Sequence, residues 1–135
     1  MTSTSHSEPA FIKLVPMREE KDCVIGTLAS YLGASYEDTL RAAVLVVPNM
    51  NKVGYTTPQI QKIAAQLGRP LVFNKSPKRW NLKDSIGILM FRDHVAILWK
   101  GNIWDPNNTL WQAEHYLKHY SYEPLGLLTL KKETL

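Results

Sequence analysis

Asp93-His94-Val95-Ala96-Ile97-Leu98-Trp99-Lys100-Gly101-Asn102-Ile103-Trp104-Asp105-Pro106 reads as two strands joined by a tight turn. The first strand, 94–99, is a continuous apolar run, the pattern of a strand buried on both faces. Gly101 and Asn102 are turn formers, and the chain returns through Ile103 to Asp105. A two-residue turn at Gly101-Asn102 would set His94 opposite Thr109 rather than Asp105, so a wider loop or strand twist is needed to bring the two side chains together. Asp93 alternates to the opposite face from His94 and is not expected to orient it. The turn residues after Asp105 give that aspartate a second, purely local reading as a turn starter.

Working outward, Ile86-Gly87-Ile88-Leu89-Met90-Phe91 is a second continuous apolar run and a second central strand. Leu71-Val72-Phe73 and 125–130 are further strands, and Thr109 is placed to cap a short helix over 110–118. Upstream lie three helices. The first starts at Asp22, a favourable N-cap, with Val24, Leu28, Tyr31 and Leu32 at helical spacing, and ends at Gly33. The second is capped by Ser35, has Leu40, Ala43, Val44 and Val47 as its apolar positions, and stops at Pro48. The third is capped by Thr56 or Thr57, with Pro58 in its first turn and Ile60, Ile63, Ala64 and Leu67 facing inward. Segments 11–15 read as an edge strand or anchoring arm, and residues 1–10 as a disordered tail. Helices followed by strands imply an α+β class, with one domain over 11–135.

Cys23 is the only cysteine in the 135-residue chain, and it stands in the first turn of the first helix. A thiol attacks as thiolate, so a nucleophilic cysteine must have its pKa brought below about 8.5. The positive end of a helix and a protonated histidine both do this. Cys23 on a helix, His94 at the head of a strand and Asp105 at the end of the next strand therefore form a candidate nucleophile, base and orienting group. The bland reading of Cys23 alone is a small buried hydrophobe; the downstream pair is what favours chemistry.

The chain resembles the C39-like branch of the papain-like cysteine peptidases over nearly its full length. The residues that carry the resemblance are Asp22-Cys23-Val24-Ile25-Gly26-Thr27-Leu28-Ala29, Gly54-Tyr55-Thr56-Thr57-Pro58-Gln59-Ile60, Ala64-Ala65-Gln66-Leu67-Gly68, His94-Val95-Ala96-Ile97-Leu98 and Ile103-Trp104-Asp105-Pro106-Asn107. The resemblance implies a papain-like fold, with N-terminal helices packed on an antiparallel sheet. It also implies Cys23 as nucleophile, His94 as general base and acid, and Asp105 as the residue that orients the ring. A cysteine-peptidase-like thiol hydrolase acting on a peptide or isopeptide bond is the activity expected. An inactive binding module and an acyltransferase or transglutaminase-like enzyme are the alternatives on the same fold. One departure stands out. The family's glutamine, whose side chain donates to the oxyanion, falls at Met17 here, and 16–22 holds neither glutamine nor asparagine.

The remaining features bound the partners. No metal or organic cofactor is needed for this chemistry, and a peptide or protein is the expected substrate. His115 and His119 have metal-ligand spacing, but a solvated helix face explains them more simply. The formal charge of +4 is too small a bias to indicate nucleic acid. The basic loop with Lys75, Lys78, Arg79 and Lys83 reads as solvated, and stacking of Trp80 on a partner is the less favoured alternative. A lone cysteine cannot form an internal disulfide, and there is neither a secretory signal nor an apolar run of about 20 residues, so a cytoplasmic protein without a membrane span is expected.

Overall fold

The computed structural model describes residues 14–16, 23–48, 55–75 and 80–131. The expected tail, the Asp22 cap, Met17 and residues 76–79 of the basic loop lie outside them. The elements are α1 (Cys23–Leu32), α2 (Tyr36–Val46), α3 (Thr57–Gln66), β1 (Leu71–Asn74), β2 (Ile86–Met90), β3 (Val95–Trp99), β4 (Asn102–Asp105), β5 (Thr109–Gln112), α4 (Ala113–Tyr120) and β6 (Gly126–Leu130). The strands form one sheet in the order β1-β6-β2-β3-β4-β5, with every pairing antiparallel. The expected α+β architecture, helices first and an antiparallel sheet after, is the one observed. Among the described residues no helix is long and apolar enough to cross a membrane.

The sheet has two unlike faces. Ile88, Met90, Val95, Ile97, Trp104 and Leu128 belong to one core, which they share with α1, α2 and α3. Leu89, Ala96, Leu98, Ile103 and Leu127 belong to the other, beneath α4. Strand alternation sorts the side chains this way, and both sets are buried, which is why β2 and β3 read as unbroken apolar runs. β2 and β6 approach closely at Gly87, where an added Cβ would lie 2.5 Å from the Leu128 carbonyl oxygen.

Helix α1 is buried on every side from Val24 to Leu32, which leaves Cys23 as its one half-exposed residue. Part of its cover comes from Leu14 and Val15. The Val15 N–H donates to Ser30 Oγ at 2.6 Å, and the Ser30 hydroxyl donates to the Gly26 carbonyl at 2.8 Å. Residues 14–16 are therefore an anchoring arm, not a strand. Ser35 caps α2 by accepting from the Asp38 N–H at 3.0 Å. Thr56 caps α3 in a reciprocal box with Gln59.

Four local expectations are corrected. The buried face of α2 is Tyr36, Thr39, Ala42 and Ala43, while Leu40 and Val44 point to solvent and Val47 lies past the helix end. The β3–β4 turn is Lys100-Gly101, with Trp99 paired to Asn102. Both turn residues have positive φ, +41° and +89°, the geometry that matches strand twist. Thr109 does not cap a helix: residues 109–112 are the edge strand β5, and Gln112 caps α4 by accepting from the His115 N–H. His94 lies just before β3 rather than within it. Trp80 is half-buried against the core beneath α4.

Candidate active site

The site lies at the open end of the β3–β4 hairpin, away from its turn. Trp99 pairs with Asn102 and Ile97 with Trp104, a register which, continued, puts Ala96 opposite Asp105. His94, two residues before Ala96, then lies diagonal to Asp105 on the same face. Moving the turn by one residue from its expected position brings the two side chains within reach without a wider loop. His94 Nε2 is 2.7 Å from Asp105 Oδ2.

Cys23 completes the cluster from the other layer. Its helix packs on β2 and β3, so the first residue of α1 arrives beside the residue that precedes β3. His94 is hydrogen-bonded to the Cys23 side chain as well as to Asp105. With Nε2 taken by Asp105, Nδ1 is the ring nitrogen left for the thiol. The three residues singled out in the sequence are thus brought together in the order Cys23, His94, Asp105.

The electrostatics follow from the contacts. Burial pulls His94 toward its neutral form. The hydrogen bonds to Asp105 and Cys23 and the charges of both outweigh burial, and raise its pKa to about 9. For Asp105, burial raises the pKa, but donation from His94, Tyr116 and the Asn107 N–H more than offsets it and leaves the carboxyl below its ordinary value. Asp105 is 4% exposed, so these donors, and not water, satisfy the carboxylate. The Asn107 N–H reaches Oδ1 at 2.9 Å, and the Tyr116 hydroxyl reaches Oδ2 at 2.5 Å. The turn-starter reading of Asp105 therefore holds together with its bond to His94, one oxygen serving each.

Two residues of the site escaped the sequence analysis. Tyr116 sits on α4, in a stretch that reads as a polar helix, yet it is fully buried. Tyr122 stacks on His94 with ring centroids 5.7 Å apart and on Phe91 at 4.7 Å. These aromatics, and not Trp104 or Trp111, flank the histidine. Trp104 is instead a core residue on the opposite face, and Trp111 packs edge-on to Tyr116. A concavity of about 650 Å³ beside the site is lined by Phe91, Arg92, Asp93, Tyr122 and Glu123, among others. His115 and His119 are exposed and gather about Trp111. Among the described residues no group of three or more His, Cys, Asp or Glu side chains could hold a metal ion.

No family model matches the sequence, and no curated protein does. Solved structures do match. A double glycine motif protease from an AMS/PCAT transporter, in complex with the leader peptide, superposes with a TM-score of 0.63 at 18% identity, covering 90% of this chain and 92% of that one. The peptidase domain of Streptococcus ComA, a bi-functional ABC transporter involved in a quorum-sensing pathway, gives 0.63 at 21% identity, over 90% of this chain and 99% of the domain. The peptidase domain of Streptococcus mutans ComA gives 0.60 at 21%, over 89% and 99%. At these identities the likeness speaks to architecture, and on it this chain has a C39-like peptidase fold.

Proposed function

We propose that this protein is a thiol hydrolase that cleaves a peptide bond, with Cys23 as nucleophile, His94 as proton carrier and Asp105 as orienting carboxylate. The observation that carries the reading is the single histidine held between a helix-start thiol and a buried carboxylate. Each contact has a use. Cys23 attacks the carbonyl as a thiolate paired with the protonated His94 ring, where the N-terminus of α1 also favours negative charge. The tetrahedral intermediate collapses as His94 gives its proton to the leaving amine, and a thioester to Cys23 remains. His94, now neutral, takes a proton from water, whose oxygen attacks the thioester. The C–S bond then breaks, the acid product leaves, and the Cys23 thiolate is again paired with the protonated His94 ring. Asp105 keeps the ring turned so that one nitrogen serves the thiol throughout.

Among the described residues, the Cys23 backbone N–H, at the free end of α1, is placed to donate to the oxyanion. A peptide is the natural substrate for the concavity beside Tyr122, and peptides carrying a double-glycine leader are the first to try, given the neighbour solved with such a ligand. A free thiol nucleophile fits a reducing compartment, which we take to be the cytoplasm.

The test is labelling by a thiol-directed peptide electrophile, read by mass, together with cleavage of a double-glycine peptide. Wild type should be labelled at Cys23 and should cleave, and Cys23→Ala should do neither while keeping its circular dichroism spectrum. Equal labelling of the two proteins, or of neither, would sink the reading. Added amines separate hydrolysis from acyl transfer by the products formed.

A further inference from the structure

The Tyr116 phenol takes no part in the steps above, yet it donates to the same carboxylate oxygen that His94 uses. We propose that Tyr116 is a positioning residue which shares Asp105 Oδ2 with His94, weakens the carboxylate's hold on the ring proton, and so sets the upper pH limit of the site. This deepens the thiol-hydrolase reading, and rests on it only for the consequence in turnover.

The geometry is specific. Oδ2 receives His94 Nε2 at 2.7 Å and the Tyr116 hydroxyl at 2.5 Å, while Oδ1 receives the Asn107 N–H. Two donors on one oxygen divide its charge, so each is held less firmly than it would be alone. Tyr116 cannot readily turn away. It is 0% exposed, with its ring in contact with Phe91, Trp111, Tyr120 and Tyr122. Burial, the bond to Asp105 and the charge of Asp105 all push the phenol's pKa up, so it remains a donor wherever the fold persists.

The other groups that face this cluster are Cys23 from α1, Asp93 from the segment before β3, Tyr120 from α4 and Tyr122 from the segment after it. Of these, Cys23 acts on the opposite side of the His94 ring, and the tyrosines other than Tyr116 make no hydrogen bond to Asp105. Tyr116 is therefore the side chain placed to tune the carboxylate from behind.

The experiment is an NMR titration of the His94 ring in the full chain, comparing wild type, Tyr116→Phe and Tyr120→Phe. Removing the Tyr116 hydroxyl should move the His94 titration upward by about half a unit to one unit, the size expected for one lost hydrogen bond. The alkaline limb of turnover should move with it, and Tyr120→Phe, which removes a hydroxyl from the same helix that makes no bond to Asp105, should leave both in place. A His94 titration that is unchanged or lowered in folded Tyr116→Phe overturns the proposal. An upward shift in a protein that cleaves nothing supports the tuning and sinks only the assigned reaction. Should Tyr116→Phe not fold, the wild-type Tyr116 hydroxyl resonance serves instead: it must shift as His94 titrates, and a resonance indifferent to that step overturns the shared-oxygen account.

Discussion

The two faces of the sheet are built from different chemistry. Beneath α1–α3 the core is largely aliphatic, with Ile25, Leu28, Ile60, Ile63, Ile88, Ile97 and Leu128 each at most 1% exposed. Beneath α4 it is aromatic and polar at its edge, where Phe91, Tyr116 and Tyr122 surround the pair His94 and Asp105. The first face is organised by burial of apolar area, which is non-directional and tolerant of exact placement. The second is organised by hydrogen bonds to one carboxylate, which are directional and fail when a single donor is misplaced. Cys23 sits where the layers meet. The aliphatic face should therefore govern stability and the aromatic edge reactivity.

The sharpest way to break that division is a truncation in the aliphatic core. Leu28→Ala should destabilise the fold by about 2–5 kcal/mol, the range for deleting a buried leucine side chain. Leu45→Ala, on the exposed side of α2 where the side chain is 67% exposed, should stay within about 0.5 kcal/mol. Urea unfolding of both variants measures this. Similar costs at the two sites would mean that α2 is covered and that the core is wrongly drawn.

The next effect is smaller and belongs to the other face. The folded pKa of His94, about 9, lies above its ordinary value of 6.5. The histidine therefore contributes stability that is fully present below pH 6.5 and lost as pH rises through 9. Asp105 has the opposite sense: its contribution is present above its ordinary value of 3.8 and is lost as pH falls through its lowered folded value. Stability should thus plateau between about pH 4 and 6.5 and decline toward pH 9, to the extent these two groups govern it. Urea midpoints across that range should show a decline that His94→Gln removes; an equal decline in both proteins would place its origin elsewhere.

How far the sequence can be read divides along the same line. Helical and strand periodicity report burial, so α1, α3, β2, β3 and the α+β class are legible, as is the cap at Ser35; for α3 the sequence leaves Thr56 and Thr57 both open, and Thr56 is the cap. The same signal misleads on α2: Leu40 and Val44 have core spacing, but the helix packs on α1 and α3, and its buried residues are Tyr36, Thr39, Ala42 and Ala43. The turn was misplaced by one residue because Lys100 takes a positive φ that lysine rarely adopts. β5 was read as helix because its four residues carry too few apolar positions to declare a period, and its strand character comes from pairing with β4. Cys23, His94 and Asp105 were visible as candidates because their order along the chain is itself a pattern. Tyr116 was not, since nothing local distinguishes a tyrosine that donates to a buried carboxylate from one on a solvated helix. Only the packing of α4 on β4 and β5 makes that difference.

The central claim is that Cys23, His94 and Asp105 act as one unit. Its most direct test is the first-turnover rate at which Cys23 is acylated by an activated peptide ester, in wild type, Asp105→Ala, His94→Ala and the double variant. If Asp105 acts only through the His94 ring, its loss should cost up to about 10⁴-fold, and the double variant should be no slower than His94→Ala alone. Losses that multiply, or an Asp105→Ala rate equal to that of wild type, would contradict the account.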